Sequence, residues 1–186
     1  MDTVAQIISI IGLAFIVASY QQKKKSALIV CQLFGCVLFS LHFLLIKAYT
    51  GCLLNAIGIV RCLVYYKGNR SRTYGNTWAA VLCGLQVVCY GLSFLVFGTE
   101  PTLRNFIVEL LPTIGMCALT ISFNLTNAGQ IRALGTINSA GWLVYNLLHH
   151  SIGGSLTEII CLTSIIIGFF RYDIKKKRND NTNEDT

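Results

Sequence analysis

Apolar residues in this chain come in long runs rather than in alternation. Seven runs, at about 4–20, 27–46, 51–66, 77–97, 105–123, 131–148 and 154–171, are cut apart by polar or charged stretches. Each approaches the ~20 residues (range ~17–25) that a helix needs to cross the hydrocarbon of a bilayer. Helices satisfy their own backbone hydrogen bonds in lipid, so the pattern predicts an all-α membrane protein of seven transmembrane helices. The separators support the cuts. Gln21 to Ser26 is polar and basic, Lys67 to Thr73 has no apolar residue, and Gly98-Thr-Glu-Pro101 breaks any helix. Two joints, Lys47 to Thr50 and His149 to Gly153, are so short that the helices they join must be antiparallel neighbours. Residues 1–172 therefore read as a single transmembrane domain, and the charged, Asn-rich 173–186 as a disordered cytoplasmic tail.

The order of long and tight joints repeats. A shift of 103 residues lays the first three runs on the last three without a gap, Gly12 on Gly115, Ser19 on Ser122, Gly51 on Gly154 and Leu53 on Leu156. His42 falls on Tyr145, Phe39 on Trp142 and Asn55 on Glu158. Three spans per half and one between them put both halves in the same membrane orientation. The expected arrangement is 3+1+3: repeat one over 7–66, a linking helix over 77–97 and repeat two over 110–169, about a pseudo-two-fold axis along the membrane normal.

Composition and charge fit this picture. Apolar residues make up 54% and charged residues only 12%, about half of what a soluble domain carries. The net charge of +7 does not point to nucleic acid, because the basic residues cluster between the apolar runs and build no basic face. With seven spans, twelve Lys and Arg fall on the side of the C-terminus, two on the other, and Arg61 lies within a span. The positive-inside rule then places the C-terminus in the cytoplasm and Met1 outside. The eight cysteines all sit within apolar runs, without CxxC or Cys/His ligand spacing, and read as small buried hydrophobes. No nucleophile elbow, HExxH or phosphate-binding loop is present. Neither an enzyme nor a cofactor or metal is expected. The bilayer and a small polar solute are the expected partners, and a homo-oligomer is compatible with the sequence.

Polar residues inside spans are the informative ones, since each is costly in lipid unless paired or hydrated. His42, Asn55, Glu109, Asn146 and Glu158 lie within roughly 10 Å of the outer ends of their spans at 1.5 Å per residue. With Tyr145 they form the expected substrate-binding set, the wall of an outward-facing cavity. Gln32, Arg61, Gln86 and Asn138 are further intramembrane polar positions. Glu158 has a competing assignment: Ser155-Leu-Thr-Glu158 has the form of a capping box, with Gly153-Gly154 as the turn before it. For His42 the alternative to a proton-linked role is a buried imidazole bonded to a carbonyl. Trp142 and Tyr145 would either stack on a solute or belong to the outer aromatic belt.

Leu41-His-Phe-Leu-Leu-Ile-Lys-Ala-Tyr49, Glu109-Leu-Leu-Pro-Thr-Ile-Gly115, and Asn146 followed by Ser151-Ile-Gly-Gly-Ser-Leu-Thr-Glu158 resemble the YgjV family of bacterial inner membrane proteins. The resemblance runs from the first span to the last and implies a multi-pass protein of the bacterial cytoplasmic membrane. It implies no particular reaction. The architecture is also similar to the SWEET and PQ-loop carriers, although Pro112 is the only proline inside a span, its repeat mate is Ser9, and there is no Pro-Gln motif. The leading expectation is passage of a small polar solute through a cavity between the repeats. The alternative is a non-transporting assembly partner or sensor whose polar residues only cap and pack helices.

Overall fold

The computed structural model describes residues 2–20, 25–67, 72–125 and 128–169; the expected tail and most of the basic clusters lie outside them. Among the described residues the chain forms seven helices and no strand: α1 (Asp2–Tyr20), α2 (Lys25–Leu45), α3 (Tyr49–Lys67), α4 (Arg72–Leu95), α5 (Leu103–Ser122), α6 (Ala128–Leu148) and α7 (Ile152–Gly168). Their ends fall within a few residues of the apolar runs. Windows of α3, α4 and α5, at Tyr49–Tyr66, Tyr74–Leu95 and Leu103–Ser122, are each long and apolar enough to cross a membrane. Shorter apolar stretches, Thr3–Ser19, Ile29–Leu45 and Ile152–Ile167, run through α1, α2 and α7. Large apolar side chains cover the outside, among them Ile7, Val37, Val88, Ile107 and Ile159, all exposed. Water would not tolerate such a surface, and hydrocarbon does.

Each helix packs on the next, α7 closes on α1, and α3 also meets α5 directly. Six helices thus make a ring, and α4 packs outside it against α3 and α5. One face of α4 holds to the ring through Leu82 and through Gln86, whose Nε2 donates to Thr120 Oγ1 at 3.1 Å. Its Ser93 hydroxyl bonds that of Thr50 on α3.

The two tight joints are built alike. Lys47 and His150 both take left-handed backbone, with φ of 59° and 53°. Ala48 N–H donates to Phe43 O and Lys47 N–H to Leu44 O; Ser151 N–H donates to Asn146 O and His150 N–H to Leu147 O. This is the Schellman ending of a helix, formed twice, 103 positions apart. α6 likewise begins 103 positions after α2 (128 against 25), and α7 103 after α3 (152 against 49). The left-handed position usually belongs to glycine, yet Gly153 and Gly154 lie inside α7 instead. They serve close packing: a Cβ on Gly153 would stand 2.6 Å from the carbonyl carbon of Ser9 on α1, and one on Gly154 would strike the Asn146 side chain. Gly51, at the matching place in α3, is equally tight: a Cβ there would stand 2.8 Å from the Phe43 ring and 2.9 Å from that of Tyr145.

Candidate functional site: a polar cavity inside the helix ring

The start of α7 decides the role of Glu158. Ser151, not Ser155, is the N-cap, and its hydroxyl oxygen accepts from Gly154 N–H. The capping box of Ser155 and Glu158 does not form. The Ser155 hydroxyl instead donates to Ser151 O at 2.8 Å. Glu158, a turn deeper, is released from the helix end and faces the middle of the ring.

There it joins a cavity of about 90 Å³ lined from all six ring helices and by no residue of α4. At about 30 Å³ of liquid volume per water, that is space on the order of three waters, or one solute of a few heavy atoms. Its apolar wall is Phe39, Phe43 and Trp142, with Phe43 and Trp142 stacked at 5.5 Å between ring centroids. Its polar wall comes from both halves of the chain: Gln32, Asn55 and Arg61 from the first, Asn138, Asn146 and Glu158 from the second. Five of these six carry a buried atom with no hydrogen-bond partner among the described residues: Gln32 Oε1, Arg61 Nε, Asn138 Oδ1, Asn146 Oδ1 and Glu158 Oε2. Buried polar atoms are nearly always paired, so their convergence on one space marks that space as a place for polar matter. Asn55 is anchored by donating from Nδ2 to Gly51 O at 2.9 Å.

Arg61 is 2% exposed. Its Nη1 lies 3.8 Å from Met116 Sδ, and its guanidinium carbon 5.2 Å from the centre of the Phe123 ring. No carboxylate among the described residues lies within ion-pair distance of it. Glu158 has the Ser139 hydroxyl beside it and likewise has no cationic partner among the described residues.

A family model described as Imp-YgjV, bacterial inner membrane protein, matches residues 3–176. The chain belongs to this family. No curated protein and no solved structure matches it. As a member of the Imp-YgjV family it is a membrane protein, and the match covers every residue of the cavity wall.

Of the six residues expected to bind substrate, the structure brings Asn55, Asn146 and Glu158 to the cavity and leaves His42, Tyr145 and Glu109 outside its lining. His42 is a buried tie: Nδ1 donates to Ala5 O at 2.8 Å, and Nε2 accepts from the Ser151 hydroxyl at 2.7 Å. Tyr145 caps the start of α3, its hydroxyl accepting from Gly51 N–H at 2.9 Å. Trp142, 5% exposed, lies in the core and not in an interfacial belt. Glu109 faces a second, more polar cavity of about 190 Å³ at the tight-joint end, with Lys47, Arg104 and His149. Its Oε1 is 3.4 Å from His149 Nε2. The Tyr145 ring stands between the two spaces, 4.3 Å from the His149 ring and 5.6 Å from that of Trp142. Gln32, Arg61 and Asn138, costly intramembrane groups in the sequence but outside the expected binding set, also line the cavity. Gln32 and Arg61 lie deeper along their helices than the expected set, and the cavity is lined from both levels.

Proposed function

We propose that the protein is a carrier or facilitator that passes a small polar solute across the bacterial inner membrane through the central cavity. In this reading all seven helices span the bilayer, with Met1 outside and the C-terminus in the cytoplasm. α1–α3 and α5–α7 are two repeats of one orientation, related by a pseudo-two-fold axis and joined by α4. The observation that carries the reading is the convergence of five unpartnered buried polar atoms, from both halves, on one cavity.

The duplicated joints support the repeat, and so does the cavity wall. Ile16 and Leu119, Phe39 and Trp142, Phe43 and Asn146, and Asn55 and Glu158 are all lining pairs 103 positions apart. The charged cavity at the tight-joint end would be the outer vestibule, and Tyr145 with Phe43 and Trp142 the closed barrier between it and the solute. No nucleotide-binding loop is present in the sequence, so passage would be passive or ion-coupled.

Protein reconstituted in liposomes should accelerate osmotic swelling in at least one of a panel of small polar solutes (urea, glycerol, small amino acids), and Glu158→Gln should abolish the acceleration. Swelling no faster than that of empty liposomes for every solute would sink the carrier reading and favour an assembly partner or sensor.

A further inference from the structure

The two charged side chains of the cavity narrow the class of solute. Arg61 and Glu158, a permanent cation and a potential anion, line the same small space and form no ion pair with each other. Arg61 sits six residues further along α3 than Asn55, and Asn55 is the repeat mate of Glu158. The two charges are therefore offset by roughly 9 Å of helix rise, less what their side chains span. A guanidinium does not give up its proton in a protein, and a buried charge requires a partner. The unpartnered atoms are also unequal in kind. Arg61 Nε is a donor, whereas Gln32 Oε1, Asn138 Oδ1, Asn146 Oδ1 and Glu158 Oε2 are acceptors. One cationic donor faces four acceptor oxygens, one of them on the carboxyl group of Glu158.

We propose that the cavity takes a small zwitterionic amino acid, its carboxylate on Arg61 and its ammonium among Glu158 and the amide oxygens. A carboxylate supplies what Arg61 lacks, in the charge-assisted geometry that guanidinium favours. An ammonium group brings three donors and no acceptor, the complement of the other wall. A simple anion would leave the acceptors unmatched, and a simple amine would leave Arg61 so. A cavity of about 90 Å³ with Phe39, Phe43 and Trp142 in its wall selects the smallest side chains, those of glycine, alanine and serine. This proposal rests on the reading of the cavity as a solute site.

The test is thermal unfolding of the detergent-purified full chain with millimolar alanine, glycine or serine, against propionate, ethylamine and acetamide at matched ionic strength. A ligand that binds only the folded state raises the midpoint. Alanine should raise it by several degrees, and propionate and ethylamine each by less than a third as much. Glu158→Gln should weaken the alanine response at least tenfold in concentration, Arg61→Gln should remove it, and Arg61→Lys should restore part of it. Glu158→Gln keeps the side-chain shape and carries the test if Arg61→Gln is not monodisperse. An alanine response no greater than those of propionate or ethylamine, or one that Glu158→Gln leaves at the same concentration, overturns the proposal. A response to acetamide alone that Glu158→Gln removes overturns the amino-acid class and leaves the carrier reading standing. No response to any solute overturns both.

Discussion

At the residue scale, His42 and Tyr145 show how unlike side chains perform one task. Each reaches from the second helix of its half to the start of the third helix of the other half. Tyr145 brings its own hydroxyl to Gly51 N–H. His42 has none, and its half of the arrangement uses the hydroxyl of Ser151, which accepts from Gly154 N–H. The position matching Ser151 in the first half is Ala48, where no second hydroxyl is needed. Tyr145→Phe should therefore strand a buried N–H and cost about 1–3 kcal/mol, measured as a lowered unfolding midpoint in detergent. A midpoint equal to that of the unaltered protein would remove the capping role. Lys47 and His150 hold left-handed backbone without being glycine, a conformation that costs an L-residue roughly 1–2 kcal/mol. Lys47→Gly should relieve it, less the added freedom of the unfolded chain, for a net gain of up to about 1 kcal/mol. Unfolding of the same preparation reads this as a midpoint raised by a few degrees or less, and a lowered midpoint would count against it.

At the element scale, the seam between α1 and α7 depends on a glycine that the sequence pattern assigned to a turn. Gly153 lets the α7 backbone press on Ser9, and Gln6 then clamps the same joint, donating from Nε2 to His150 O at 2.8 Å and accepting from Ile152 N–H at 3.0 Å. Gly153→Ala would push a methyl group into the α1 backbone, which cannot swing aside as a side chain can. The expected loss is about 1–3 kcal/mol, seen as a lowered midpoint, with a larger loss for Gly153→Val. Gly84 and Gly91 on α4 have no neighbouring atom within 4 Å of an added Cβ. Alanine at either position should be neutral or stabilising by up to about 1 kcal/mol, which makes them matched controls for the seam.

At the scale of the whole molecule, a ring of six helices around a polar space with a seventh outside gathers the cavity's polar chemistry between the halves and leaves an apolar rim for lipid. The basic residues predict its sense. If all seven helices span the bilayer, twelve Lys and Arg fall on one side and two on the other; a fluorescent protein fused after Thr186 should then fold and fluoresce in cells, and alkaline phosphatase fused there should be inactive. Active phosphatase at that end would invert the orientation and with it the assignment of the Glu109 cavity to the outer face.

Local pattern alone accounts for the seven helices among the described residues, for their ends to within a few residues, and for the matched tight joints. Lipid rewards any continuous apolar run of the right length, and short connections leave few ways to fold back, so these features follow from local pattern. It also determined which residues are costly, Arg61 and Glu158 among them. What those residues face is set by long-range packing. The helix-start pattern at Ser155 and Glu158 is satisfied one turn earlier by Ser151 because His42 comes from α2 to hold that hydroxyl, a contact across 109 positions. Two of the expected site residues, His42 and Tyr145, are consumed in such ties between halves, and Arg61 enters the site because ring closure turns α3 inward. Which polar side chain is paired and which is left open to the cavity depends on partners distant in sequence, and no run of apolar residues encodes that choice.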